Sequence, residues 1–207
     1  MPKILDLVLP TPCVLCNKIG PPMCLNCKEG FPISKIPIRV SGVSGFAISE
    51  YTPDAAVMIN SIKEKGLTSL IPIVAELIVR DWPDGLPTPI FVPLPSSPAN
   101  MKKRGYSHTA LMARALARRV IGASTFELLR SSRSRKDQVG LDTHERSENL
   151  EGAFRINLRR HRLANRPIVL VDDVLTSGAS MASAIQTLSL GGLVVSSFCV
   201  LAKAGFK

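Results

Sequence analysis

Apolar and polar positions along this chain change rhythm in an ordered way. PIVLV (167–171) is a continuous apolar run, ASMASAIQTLSLGG (179–192) spaces its apolar residues as a helix does and ends on two glycines, and LVVSSFCVLA (193–202) is apolar again. Short apolar runs bounded by turn signals read as buried strands, and the 3.6-residue period between them reads as a crossover helix. PIFVPLP (89–95) predicts another buried strand opening into a loop, and Phe46 to Tyr51 a further one. TPDAAVMINSIKEKG (52–66) opens with Thr52 before Pro53 and stops at Gly66, so a helix is expected with Ala56, Ile59 and Ile62 on one face and Lys63 and Lys65 near its C-terminal end. LTSLIPIVAELIVRDW (67–82) predicts a second helix with Pro72 in its first turn, where a missing N–H costs nothing. SSPANMKKRGYS (96–107) is expected to be a loop before a helix over His108 to Ile121, whose stripe is Leu111, Met112, Ala115 and Leu116.

Strands and helices that alternate in this way imply an α/β fold, a mostly parallel sheet flanked by helices on both faces. FPISKIPIRVSGVSG (31–45) is rich in Pro, Ser and Gly and reads as a linker with short edge strands. Two units are therefore expected, residues 1–44 as a small module with its linker and residues 45–207 as the α/β domain. The stretch 130–154 has little apolar periodicity and is expected to form a hood or loop before the last strand–helix–strand unit.

Cysteine spacing defines the small module. Cys13, Cys16, Cys24 and Cys27 form C-x2-C-x7-C-x2-C, and Gly20-Pro21-Pro22 supplies the reversal that sets one pair opposite the other. Four thiolates so placed fit a tetrahedral Zn2+, and with no position left for water the ion would be structural. Disulfides or a redox pair are the alternatives, and the opening Met-Pro-Lys-Ile-Leu-Asp has neither the apolar stretch nor the cleavage site of an export signal. The chain is expected to be cytoplasmic, with no membrane insertion, since no run approaches the roughly 18 apolar residues of a span. Cys199 lies in an apolar run and is expected to be a buried, inert thiol.

Charge then narrows the partner. Lys and Arg number 26 against 16 Asp and Glu, a formal net charge of +10. Residues 97–136 carry Lys102, Lys103, Arg104, Arg114, Arg118, Arg119, Arg130, Arg133, Arg135 and Lys136 against Glu127 alone. Such an excess suits a polyanion or an anionic substrate, while an aromatic content of 5% leaves little for base stacking. His108, His144 and His161 are scattered and are read as surface or supporting residues rather than catalysts.

The most specific chemistry lies in LVDDVLTSGAS (170–180), where two adjacent carboxylates close a strand and a hydroxyl-rich turn leads into a helix. The helix N-terminus, with Thr176, Ser177 and Ser180 and with Gly178 allowing close approach, can hold a phosphate. The carboxylates of Asp172 and Asp173 can accept hydrogen bonds from a sugar diol beside it. A Walker loop would need a lysine after its glycine, and GASMAS has none. Phosphate next to diol describes a ribose 5-phosphate.

IVLVDDVLTSGAS (168–180) resembles the thirteen-residue signature of type I phosphoribosyltransferases, which bind phosphoribosyl pyrophosphate (PRPP). The order of the four-cysteine module, YTPDAAVMINSIKEKG (51–66), VPLPSSPANMKKRGYSHTALMARALA (92–117), ERSENLEGAF (145–154) and that loop resembles the ComF family, phosphoribosyltransferase-like proteins associated with DNA uptake in naturally competent bacteria. The resemblance spans nearly the whole chain. It implies a type I phosphoribosyltransferase fold, Asp172 and Asp173 as ligands of the ribose hydroxyls, and Thr176, Ser177, Gly178, Ala179 and Ser180 as the 5′-phosphate loop. Pro93, Leu94 and Pro95 fall at the pyrophosphate-side loop, with Mg2+ accompanying PRPP. GYSH (105–108) departs from the family, where Asn and Gln are usual, and this leaves the role of that pair open. Lys102, Lys103 and Arg104 are candidates for contact with pyrophosphate or with single-stranded DNA, and a competence helicase is a candidate partner. The alternative is an active transferase that moves ribose 5-phosphate to a nitrogen acceptor.

Overall fold

The computed structural model describes residues 12–80, 82, 88–132, 153–157 and 166–205. Six strands form one sheet: β1 (Ile36–Val40), β2 (Val43–Glu50), β3 (Ile90–Pro93), β4 (Ser124–Thr125), β7 (Ile168–Leu175) and β8 (Val195–Lys203), in the order β1-β2-β8-β7-β3-β4. Only the edge pair β1–β2 is antiparallel; the other neighbours run parallel. Alternate residues of the central strands serve opposite faces. Phe91, Val169, Val171, Cys199 and Leu201 join one apolar core, while Ile90, Val92, Ile168, Leu170, Phe198 and Val200 join the other. A strand apolar at every position therefore needs cover on both sides.

The first core is covered by α2 (Pro53–Lys63), α3 (Ile71–Val79) and α5 (His108–Ala117), the second by α6 (Ala179–Leu190). Helices α2 and α5 begin where their caps signal it. Thr52 Oγ1 accepts the N–H of Ala55 at 3.2 Å, with Pro53 in the first turn, and Ser107 Oγ accepts that of Ala110, also at 3.2 Å. Pro72 falls in the first turn of α3, behind a short 3-10 turn over Thr68–Leu70.

Three expectations change. The predicted loop 96–107 contains α4 (Pro98–Arg104), capped by Ser97 and stopped by Gly105 at φ +75°. Its residues are not buried, so no apolar stripe announced it. Helix α5 stops at Ala117 rather than Ile121, which is 96% exposed. The stretch read as a hood or loop has regular ends, since β5 (Leu129–Ser131) and β6 (Phe154–Ile156) pair antiparallel as a separate sheet; residues 133–152 lie outside the described residues.

Residues 31–45 hold a hairpin. Ser41 and Gly42, both at positive φ (47° and 81°), make a two-residue turn between Val40 and Val43. The expected boundary between residues 44 and 45 thus falls inside β2. The cysteine module is also anchored: Met23 and Phe31 are buried in the first core, the Ser34 N–H donates to the Ile48 carbonyl at 2.9 Å, and Lys28 of α1 (Leu25–Glu29) pairs with Glu76 of α3.

Candidate functional site

A cavity of about 270 Å3 opens where β3 and β7 end and α6 begins. Leu94 and Pro95 line it after β3, Asp172 and Asp173 within β7, and Thr176 and Ser180 at the turn into α6. Lys63 at the end of α2, Arg104 at the end of α4 and His108 at the start of α5 complete a polar wall, and Phe154 of β6 adds an apolar one. Gly178 caps α6 in the left-handed region at φ +74°, a conformation strained for any side chain and suited to bending the loop around a ligand.

The two acids are not equivalent. Asp173 is buried, and its Oδ2 meets Lys63 Nζ at 2.5 Å and His108 Nε2 at 3.0 Å, while Oδ1 accepts the Val174 N–H at 2.8 Å. Burial alone would raise its pKa, but the adjoining His108 ring and the Lys63 ammonium outweigh it and bring it down to about 2. Asp172 accepts the Asp173 N–H at Oδ1. Burial first and the neighbouring Asp173 charge second push its carboxyl well above the usual range. One acid is a fixed anion and the other resists ionisation, so the pair offers the cavity both an acceptor and a carboxyl able to donate.

Among the basic candidates, the structure separates what the sequence grouped. Arg104 is turned into the cavity wall, its side chain 10% exposed, with Nη2 donating to Glu64 at 3.0 Å and Nε buried without a protein partner. Lys103, 70% exposed, pairs with Glu64 at 2.7 Å, and Lys102 is exposed. Neither lysine lines the cavity. Pro93 is the last residue of β3 and buried, so the cavity begins at Leu94; Ser177, Gly178 and Ala179 shape the loop without lining it. The Ser96 Oγ, buried and unpartnered, is a further donor in the wall.

Lys63 and His108 are what sequence reasoning missed. Of the two roles expected for it, surface or supporting, His108 takes the second: it is 5% exposed and its Nε2 lies against Asp173. Lys63 appeared only as a charge at a helix end. His144 and His161, and with them Arg133, Arg135 and Lys136, lie outside the described residues.

The second cluster is the cysteine module. The Sγ atoms of Cys13, Cys16, Cys24 and Cys27 lie within 4.8 Å of one another, and Cys16 and Cys24 are 3.7 Å apart. Bonds of about 2.3 Å to a tetrahedral centre place thiolates about 3.8 Å apart, so these four residues can hold a metal ion. At Cys13 burial opposes ionisation, but the backbone N–H groups of Cys24, Cys16 and Leu15 lower the thiol to about 6, whereas the hydrogen bond with Cys24 and burial push Cys27 up. The Cys199 thiol, fully buried, is pushed up to about 12 and is inert.

A mostly parallel sheet flanked by helices, with an acid pair and a helix N-terminus meeting at its carboxyl edge, defines an α/β protein with the ligand site typical of open sheets. No protein-family profile matches the chain. Its homologues carry the names DNA utilization protein YhgH and competence protein F. It is 28% identical to the YhgH of Salmonella typhi over 154 residues, covering 70% of this chain and 66% of that protein. It is 27% identical to competence protein F of Haemophilus influenzae over 90 residues, 44% of this chain and 39% of that one. The chain thus spans just under two thirds of the Salmonella relative. Among solved structures, the adenine phosphoribosyltransferase of Thermoanaerobacter pseudethanolicus has a TM-score of 0.43 at 16% identity, covering 87% of this chain and 88% of that one. That of Saccharomyces cerevisiae scores 0.40 at 14% identity, covering 83% of each.

Proposed function

We propose that the chain binds PRPP with Mg2+ in this cavity, holds a structural Zn2+ on its four cysteines, and binds single-stranded DNA on its basic surface as a cytoplasmic factor in DNA uptake. The observation that carries the ligand assignment is the meeting of Asp172 with the first turn of α6 beside Arg104. The N–H groups of that turn, with the hydroxyls of Thr176 and Ser180, suit the 5′-phosphate. Asp172 can hold the ribose hydroxyls, with Asp173 fixed behind it. The loop from Leu94 to Ser96, with Arg104, offers donors to the pyrophosphate, which brings Mg2+ with it. The DNA role draws its support from the relatives' names and from the exposed Lys102 and Lys103. No described helix is long and apolar enough to cross a membrane.

A second reading has its own support. Ser131, Ala153 and Phe154, from β5, β6 and the segment between them, line the same cavity, so a nucleophile could be covered from water there while pyrophosphate leaves. The chain would then transfer ribose 5-phosphate to a nitrogen acceptor, with Arg104 stabilising the departing charge. Calorimetry with PRPP and Mg2+ tests the first reading: binding should be measurable, and Asp172→Asn should weaken it at least tenfold. Unchanged affinity in that variant would overturn the assignment. Pyrophosphate release from PRPP with a panel of nucleobases and amines separates a binder from a transferase.

A further inference from the structure

We propose that the outer face of the β5–β6 sheet is a contact surface for the phosphodiester backbone of single-stranded DNA, with Arg130 and Arg155 as its two grips. The proposal rests on the reading that the chain binds single-stranded DNA, and it gives that binding a place. Arg130 and Arg155 stand directly opposite each other in the antiparallel register, between the pair Leu129–Ile156 and the pair Ser131–Phe154. Successive side chains of a strand point to opposite faces. Leu129 and Phe154 are buried in the second core, and a Cβ on Gly191, just after α6, would lie 2.0 Å from the Ile156 side chain, so that face is turned inward. Ser131 and Phe154 also line the cavity, and neither arginine does. Both arginines are exposed and leave from the other face.

Like charges set directly opposite on adjacent strands repel, and the sheet that carries these two has only three residue pairs to hold it. Among the described residues no carboxylate pairs with either arginine. Glu127, an acid close by in the chain, is taken by Arg114 at 2.8 Å. An anion lying across the two guanidinium groups would turn this repulsion into attraction. Each planar fork matches phosphate oxygens two at a time, and two forks side by side suit a chain of phosphates. The net charge of +10 and an aromatic content of 5% suit a long polyanion held by its backbone rather than by its bases. Lys102 and Lys103 leave from α4, which borders the same cavity through Asn100 and Arg104. Both cationic pairs thus belong to elements around one cavity, which lets a single strand engage both.

Fluorescence anisotropy of a labelled oligothymidylate with the full chain tests the site. Arg130→Gln with Arg155→Gln should weaken binding about tenfold at ~50 mM salt and make the log–log salt slope shallower by about 1.4, two contacts at about 0.7 each. Both side chains are exposed, so the melting temperature of that variant should hold or rise as the opposed charges are removed. Lys18→Gln with Arg39→Gln removes the same charge from exposed positions of the cysteine module and of β1, and should change affinity by less than about twofold. An unchanged slope in the arginine variant, or an equal loss in the lysine–arginine control, overturns the proposal. Polyglutamate of matched charge that competes as well as the oligonucleotide overturns it too, because the forks would then be serving carboxylates. No DNA binding by the unaltered protein would remove the DNA reading itself and this site with it, an outcome distinct from binding that ignores the two arginines.

Discussion

Two adjacent aspartates with opposite pKa shifts make a stability prediction that neither makes alone. Asp172 is raised, so the folded chain keeps its proton at a pH where the unfolded chain has lost it, and stability falls as pH rises from the usual carboxylate range near ~4 through the raised value. Asp173 is lowered, so it contributes stability above that range and loses it as pH falls toward about 2. Asp172→Asn should therefore stabilise the protein at neutral pH by about 1 kcal/mol and flatten the pH dependence while losing PRPP. Asp173→Asn leaves Lys63 in a mostly buried site with its anion removed and should cost about 2–3 kcal/mol. Burial and then repulsion from the adjacent carboxylate therefore dominate at Asp172, and attraction to Lys63 at Asp173. Urea unfolding of both variants between pH ~4 and ~8 checks this, and equal effects of the same sign would refute it. The acid pair and its loop were legible because they are contiguous. Lys63 and His108 were not: they meet Asp173 from two other helices, a juxtaposition that local sequence spacing does not reveal.

At the scale of elements, the α/β alternation, the helix starts and the cysteine cluster could be read directly, because periodicity, caps and C-x2-C spacing are local signals. Helix α4 could not, since it lacks an apolar stripe, and although edge strands were expected in 31–45, the Pro and Gly content around the Ser-Gly turn hid their pairing as the β1–β2 hairpin. The strand after that turn packs closely. A Cβ on Gly45 would lie 2.4 Å from the Phe198 carbonyl oxygen and 2.5 Å from its ring, so Gly45→Ala should destabilise by about 2–3 kcal/mol, measurable by thermal unfolding. The cysteine module is coupled to the same core through Met23 and Phe31. Metal analysis under reducing conditions should find one Zn2+ per chain, and chelation should lower the melting temperature of the whole protein as well as unfolding the module. A metal-free preparation with an unchanged melting temperature would refute this.

At the scale of the whole molecule, the basic run 102–104 divides between two surfaces. Arg104 belongs to the cavity, whereas Lys102 and Lys103 face solvent. Charge reversal at Lys102 and Lys103 should therefore weaken single-stranded DNA binding for every sequence alike and leave PRPP affinity within about twofold, while Arg104→Met should do the reverse. If about four phosphates are contacted at a slope of about −0.7 each, DNA affinity should fall roughly fifty-fold between ~50 and ~200 mM salt. Salt-insensitive binding, or none at low salt, would remove DNA from the account and favour the transferase.

The strand order carries one more consequence, for the making of the protein. Strand β8 lies between β2 and β7, and its contact with β2 joins Ser197 to Ser44, 153 residues apart. Ribosomes add about 5–20 residues per second, so the β1–β2 hairpin emerges roughly 8–30 s before its parallel partner exists. During that interval the free edge of β2 and its apolar Ala47 and Ile48 have no cover within the sheet. Nascent chains should for that time be a natural client for chaperones that shield strand edges, and crowded overexpression should send this protein into inclusion bodies sooner than its finished stability would suggest.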